Sequence, residues 1–253
     1  MKSKVFAVLL IVLGVAATLG GLYGQIFLAE DEGHHDDREP TFALESQVGA
    51  DEIVVEQVAP NSLSIGVERA GQPIEFDRVH DGFLHIFVAS VDRTFFTHDG
   101  FLDDTDLDDD AIDRTAQGVD APAGPMRIVT QLSPAGGPDL LELGTTVEVE
   151  GDAFEPQNIS DTDEWTNDAL TVTRQGFDFV LSEPWNGDDV YDGPALLTLF
   201  RAEDLAFTHA HAELVGDDRF SFATDLPGLG DYLAALEFEQ SGELVTALFR
   251  FTL

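Results

Sequence analysis

Four histidines lie where the chain repeats itself, and each pair has a spacing that lets two imidazoles share a metal ion. Leu84 to Leu102 reads LHIFVASVDRTFFTHDGFL and Leu196 to Leu214 reads LLTLFRAEDLAFTHAHAEL, so an apolar run, an Asp-containing turn and a Phe-Thr-His recur in the same order. In the second copy, His209-Ala210-His211 puts both rings on one face of a strand, because strand side chains alternate. Such a pair can chelate zinc or copper(II). In the first copy, a hairpin centred on Val91-Asp92 sets His85 directly across from His98, where Cβ atoms are about 4.5–5.5 Å apart; a slip of one residue would undo the pairing. Glu203, Asp204 and Glu213 are near in sequence and could add an oxygen ligand or orient a ring.

Each of these residues also has a purely structural reading. His85 could cap a core edge, His98 could bond a loop carbonyl, His209 and His211 could be surface residues, and the acids could belong to ordinary turns. Met126 is the one methionine beyond Met1, which rules out a methionine-rich copper(I) site and leaves imidazole and carboxylate donors, suited to copper(II), zinc or nickel. Affinity is then expected to fall as the histidines protonate below about pH 6.5.

Two further stretches could collect cations. His34-His35 sits in a charged tether, where adjacent histidines are usually solvated. Asp103 to Asp113, DDTDLDDDAID, is aspartate-rich but departs from the helix-loop-helix calcium pattern, with Asp109 in place of the required glycine and Thr115 in place of the bidentate glutamate. It reads as a solvated acidic insertion. The chain has no cysteine, which excludes disulfides, thiolate metal sites and cysteine nucleophiles. It also has no Gly-x-Ser-x-Gly elbow, phosphate loop or His-Glu-x-x-His, so the expectation is a non-enzyme.

With 49 acidic and 12 basic residues and a formal net charge of -37, nucleic acid is not an expected partner, because phosphate binding needs clustered cations. Such a surface suits a saline or extracellular setting, where salt screens its self-repulsion, and it attracts cations. Lys2 and Lys4 precede the uncharged run Val5 to Ala29, which is long enough to span a bilayer as a helix, and Glu30 opens an acidic stretch. Lysines before the run orient the N-terminus to the cytoplasm and place the remaining chain outside. The expected location is the cell membrane, single-pass, or a secreted chain if the run is a signal peptide cleaved near Gly14-Val15-Ala16.

The remaining chain reads as all-β: two tandem immunoglobulin-like β-sandwich modules after an N-terminal transmembrane helix. Residues 1–29 form the transmembrane helix or signal peptide and 30–47 an acidic linker. Residues 48–152 form the first module, 153–165 a linker and 166–253 the second module. Short strand candidates separated by Pro60-Asn61, His80-Asp81-Gly82, Pro184 to Gly187 and Ser241-Gly242 set this class. The two Phe-Thr-His motifs are about 110 residues apart, close to one sandwich length. Gly230-Asp231-Tyr232 resembles a tyrosine corner, and Gly124-Pro125-Met126 is its counterpart without the hydroxyl.

Residues 50 to 253 resemble a family of uncharacterised exported bacterial proteins with tandem immunoglobulin-like or cupredoxin-like β modules, some described as heavy-metal-binding. The family's first copy reads approximately Met-His-Leu, Asp-Leu and Phe-x-His-x-His, matched by Leu84-His85-Ile86, Asp92-Arg93 and Phe96-Thr97-His98-Asp99-Gly100. Its second reads approximately Gly-His-Leu, Asp-Leu and His-x-His, matched by Ala195-Leu196-Leu197, Asp204-Leu205 and His209-Ala210-His211. Gly100, Leu196 and Gln240 stand where that pattern carries histidines. The resemblance implies an exported binding protein for copper(II) or zinc through His85, His98, His209 and His211. The alternative is a surface interaction module with incidental histidines, its protein partner unspecified.

Overall fold

The computed structural model describes residues 44–74, 76–77, 82–102, 116–134, 140–191, 193–204, 206–224, 226 and 228–253. The N-terminal apolar run, the His34-His35 tether and the Asp103–Asp113 insertion lie outside the described residues. Among the described residues all regular structure is β, in four sheets whose pairings are antiparallel apart from one short parallel contact. No helix there is long and apolar enough to cross a membrane.

The sheets face each other in pairs. In the first half, Asp51–Ala59 and Ser62–Arg69 form the centre of one sheet, with Gln47–Val48, Gln72–Pro73 and Ala116–Asp120 along its edges. The facing sheet runs in the order Leu141–Val149, Gly124–Pro134, Gly82–Ser90, Phe96–Leu102. Alternation decides what lies between them: Ile53, Leu63, Ile65 and Val67 from one sheet meet Leu84, Ile86, Val88, Ile128 and Leu132 from the other. In the second half, one sheet is built on Thr171–Gln175, Asp178–Leu181 and Arg219–Ser221, and the facing sheet runs Glu243–Thr252, Asp231–Gln240, Leu196–Arg201, Phe207–His211. Val172, Phe179 and Phe220 there pack on Leu197, Leu199, Leu236, Phe238 and Phe249.

Within the stretch 153–165, Ile159–Ser160 pairs in parallel with Leu248 and Phe249, and Trp165 is buried in the second core. Tyr232 donates its hydroxyl to the Gly228 carbonyl at 2.6 Å, the tie expected of a corner tyrosine. Met126 occupies the same place in the first half: Ser90 lies across from Met126, and Arg201 across from Tyr232.

The duplication extends to register. Ala89 pairs with Phe96 and Phe200 with Phe207, each at the mouth of its hairpin. The central strands Gly124–Pro134 and Asp231–Gln240 are buried along almost their whole length, on both faces. One face of each serves its own core. The other belongs to a third apolar cluster drawn from both halves, including Phe87, Ala89, Phe96 and Val129 from the first and Phe200, Phe207, Leu233, Ala235 and Leu248 from the second. The two halves therefore dock through the sheets that carry the repeated hairpins, and Pro40–Leu253 forms one unit.

Candidate functional site

His85, His98, His209 and His211 all lie on the docked faces. The first hairpin closes through the five residues Val91 to Phe95, one position later than a turn on Val91-Asp92. Asp92 Oδ1 accepts from the Thr94 N–H and hydroxyl, Ser90 Oγ accepts from the Thr94 and Phe95 amides, and Arg93 takes a left-handed φ of 62°. Burial works to raise the Asp92 carboxyl, but these hydrogen bonds prevail and hold it below its ordinary value. The longer loop moves the register by two residues: Phe87 stands across from His98, and His85 across from Gly100. A shift of two keeps both imidazoles on one face, so they meet diagonally instead of directly.

Their contact is close. His85 Nδ1 lies 3.2 Å from His98 Nε2, with ring centroids 5.4 Å apart. The other nitrogen of His98, Nδ1, is 2.9 Å from Glu237 Oε2, and both of these side chains are almost wholly buried, at 1% and 3% exposure. A carboxylate only accepts, so His98 donates from Nδ1; in the neutral ring its Nε2 then carries the lone pair and His85 Nδ1 donates to it. Aromatic rings hold His98 in place, with Phe87 stacked at 4.2 Å and Tyr191 tilted at 4.5 Å. Glu237 lies in the second half, so this chain of hydrogen bonds crosses between the halves.

His209 and His211 share a face as alternation requires, with centroids 5.6 Å apart and planes at 79°. His209 stands across from Thr198 and His211 across from Leu196. Gln131 of the first half brings its Nε2 to 3.5 Å from both nitrogens of His209, and donates to Glu142 Oε1 at 3.0 Å. Thr198 Oγ1 is buried with no hydrogen-bond partner among the described residues. Arg127, also on this face, donates to the Leu44 carbonyl at 3.2 Å. Burial pushes its guanidinium below its ordinary value, against the pull of Asp204.

The expected oxygen ligands serve elsewhere. Asp204 is held by Arg201 and accepts from the Ala206 amide, and its hydrogen bond with Arg201 keeps the carboxyl below its ordinary value against the effect of burial. Glu203 accepts from the Asp231 amide, and Glu213 is exposed. Among the described residues no three His, Asp or Glu side chains are placed to hold one ion together. What the arrangement offers is a two-nitrogen bite. Two Zn–N bonds of about 2.05 Å at the tetrahedral angle separate their nitrogens by about 3.3 Å, and His85 Nδ1 and His98 Nε2 are 3.2 Å apart. A carboxylate behind the ligating imidazole is the usual support for a metal-bound histidine.

Glu237, Gln131 and Tyr191 escaped sequence reasoning. The signal for Glu237 was its position as the one charge inside the apolar run YLAALEF, since an acid at the centre of a strand buried on both faces must be partnered. Comparison with profiles of known protein families and with curated proteins finds no match for the chain.

Proposed function

We propose that the protein is an exported, membrane-anchored binding protein made of two immunoglobulin-like sandwiches, which holds a copper(II) or zinc ion through His85 and His98 at the face where the sandwiches dock. The observation that carries this reading is the 3.2 Å separation of His85 Nδ1 and His98 Nε2, with Glu237 fixing the ring of His98 from behind. A bound ion would take the place of the hydrogen between the two nitrogens, with His85 carrying its proton on Nε2 instead. Nitrogen donors favour these metals over calcium. Two protein ligands leave the remaining positions of the ion to other donors. The resemblance of residues 50 to 253 to exported tandem-β proteins, some described as heavy-metal-binding, points the same way.

The test is titration of the full chain in detergent with copper(II), zinc and calcium, beside a His85→Ala/His98→Ala variant. The reading expects a saturable copper(II) or zinc site that the variant loses and calcium does not fill, weakening as pH falls below about 6.5. Equal binding by variant and parent would mean that acidic residues collect ions nonspecifically, and would favour the surface interaction module instead.

A further inference from the structure

Tyr191 stands where the backbone does not suit a tyrosine. The Val190 N–H donates to the Gly193 carbonyl at 2.7 Å and the Gly193 N–H to the Val190 carbonyl at 3.1 Å, which closes a tight two-residue turn. Tyr191 is the first residue inside it, with a φ of 54°. Turns with a positive φ at that position favour Gly, Asn or Asp, and a bulky side chain there is an outlier. Such conformations persist where the surroundings hold them, and they collect at ligand clamps and switches. Here the surroundings are the imidazole pair. The Tyr191 ring is 7% exposed and lies 4.5 Å from His98 and 5.9 Å from His85 between centroids. Rings lying side by side cannot come as close as Tyr191 and His98, so Tyr191 covers one face of His98; Phe87, stacked at 4.2 Å, has the other.

These two walls differ in what fixes them. Phe87 belongs to Gly82–Ser90, a strand paired along both edges, so it cannot withdraw without breaking ladder hydrogen bonds on both sides. Tyr191 is carried by the small turn, and the chain leading into that turn is fastened separately: Trp185 Nε1 donates to the Glu239 carbonyl at 2.8 Å, and Asn186 Oδ1 accepts from the Ser241 amide at 2.9 Å. The turn can therefore swing while the segment before it stays in place. Resting on the metal reading above, we infer that Tyr191 is the gate of the His85/His98 site: an ion enters and leaves when the turn between Val190 and Gly193 lifts the ring off the imidazoles. A wall that closes over the site in both the free and the loaded state slows entry and exit by the same factor, and so leaves affinity nearly unchanged.

The experiment applies two probes to the full chain in detergent: zinc entry and release by stopped flow, and metal-free carbethoxylation of His98 by diethyl pyrocarbonate, read by peptide mass spectrometry. A minor open state is populated at about 0.1–10%. Tyr191→Gly, which removes the ring and suits the backbone, should therefore raise zinc entry, zinc release and His98 modification each by about 10–1,000-fold. Tyr191→Phe keeps the ring and should match the parent in all three. In the parent, His98 modification should not depend on urea well below the unfolding transition, because lifting one turn exposes little surface. Modification that follows global unfolding in the parent, unchanged rates in Tyr191→Gly, or weaker zinc binding by Tyr191→Phe, which would make the phenol a ligand, overturns the gate and leaves metal binding standing. Faster His98 modification in Tyr191→Gly with no zinc site in the parent supports the gate and overturns the metal reading instead.

Discussion

Truncating Phe207 tests whether the docked face is a real part of the folded state. Its side chain is 2% exposed and meets Phe87 of the first half at 5.0 Å, Phe200 at 5.3 Å and His209 at 5.9 Å between ring centroids. A buried phenylalanine removes about 150–250 Å² from water, an upper limit of about 4–6 kcal/mol at 25 cal/mol per Å². Because Ala keeps the Cβ and the site can partly collapse, Phe207→Ala should cost about 3–5 kcal/mol. Both tryptophans, Trp165 and Trp185, pack in the second core, so their fluorescence follows the second half alone while far-UV circular dichroism follows both. Urea unfolding should be run in molar salt, where a Debye length of about 3 Å screens the self-repulsion of this acidic chain. With the halves coupled through the face, both signals should move to lower urea together. A loss below about 1 kcal/mol, or a fluorescence transition that shifts while part of the dichroism change stays at its parent urea concentration, would refute the coupling.

Tyr232→Phe removes the hydroxyl bonded to Gly228 and should cost about 0.5–1.5 kcal/mol by urea unfolding at neutral pH. Burial raises the Tyr232 hydroxyl above its ordinary value, so this residue's stabilisation is complete below about pH 10 and fades as pH rises through the folded value; the Phe variant should lack that alkaline component, and an identical alkaline profile would disprove the assignment. For topology, protease added to intact cells should digest the chain beyond Glu30, and protection of the bulk of it would place the modules on the other side of the membrane.

Much of the scaffold was legible in the residues because strand periodicity is local. The run LHIFVAS alternates two sets of side chains whatever surrounds it, so Leu84, Ile86 and Val88 had to face one way and His85 and Phe87 the other. The pairing of Phe96 with Phe207 as duplicates, and of Gly124-Pro125-Met126 with Gly230-Asp231-Tyr232, followed from the same short-range patterns and holds in register. His209 and His211 shared a face for the same reason.

What lies beyond a few residues was decided by tertiary structure. The partner of His98 across the hairpin depended on five loop residues capped by Ser90 and Asp92, where the turn signal alone suggested a tighter closure; because side chains alternate, the two-residue difference preserved the face and changed only the neighbour. The runs MRIVTQL and YLAALEF read as strands, yet composition cannot say that both of their faces are covered, or by what. Here each half covers the other, and that docking brings Glu237 to His98 across 139 residues of sequence. A sequence states which side chains share a face; only the packing of one face on another settles which acid meets which imidazole, because that contact is fixed by the summed burial of both surfaces and by no local rule.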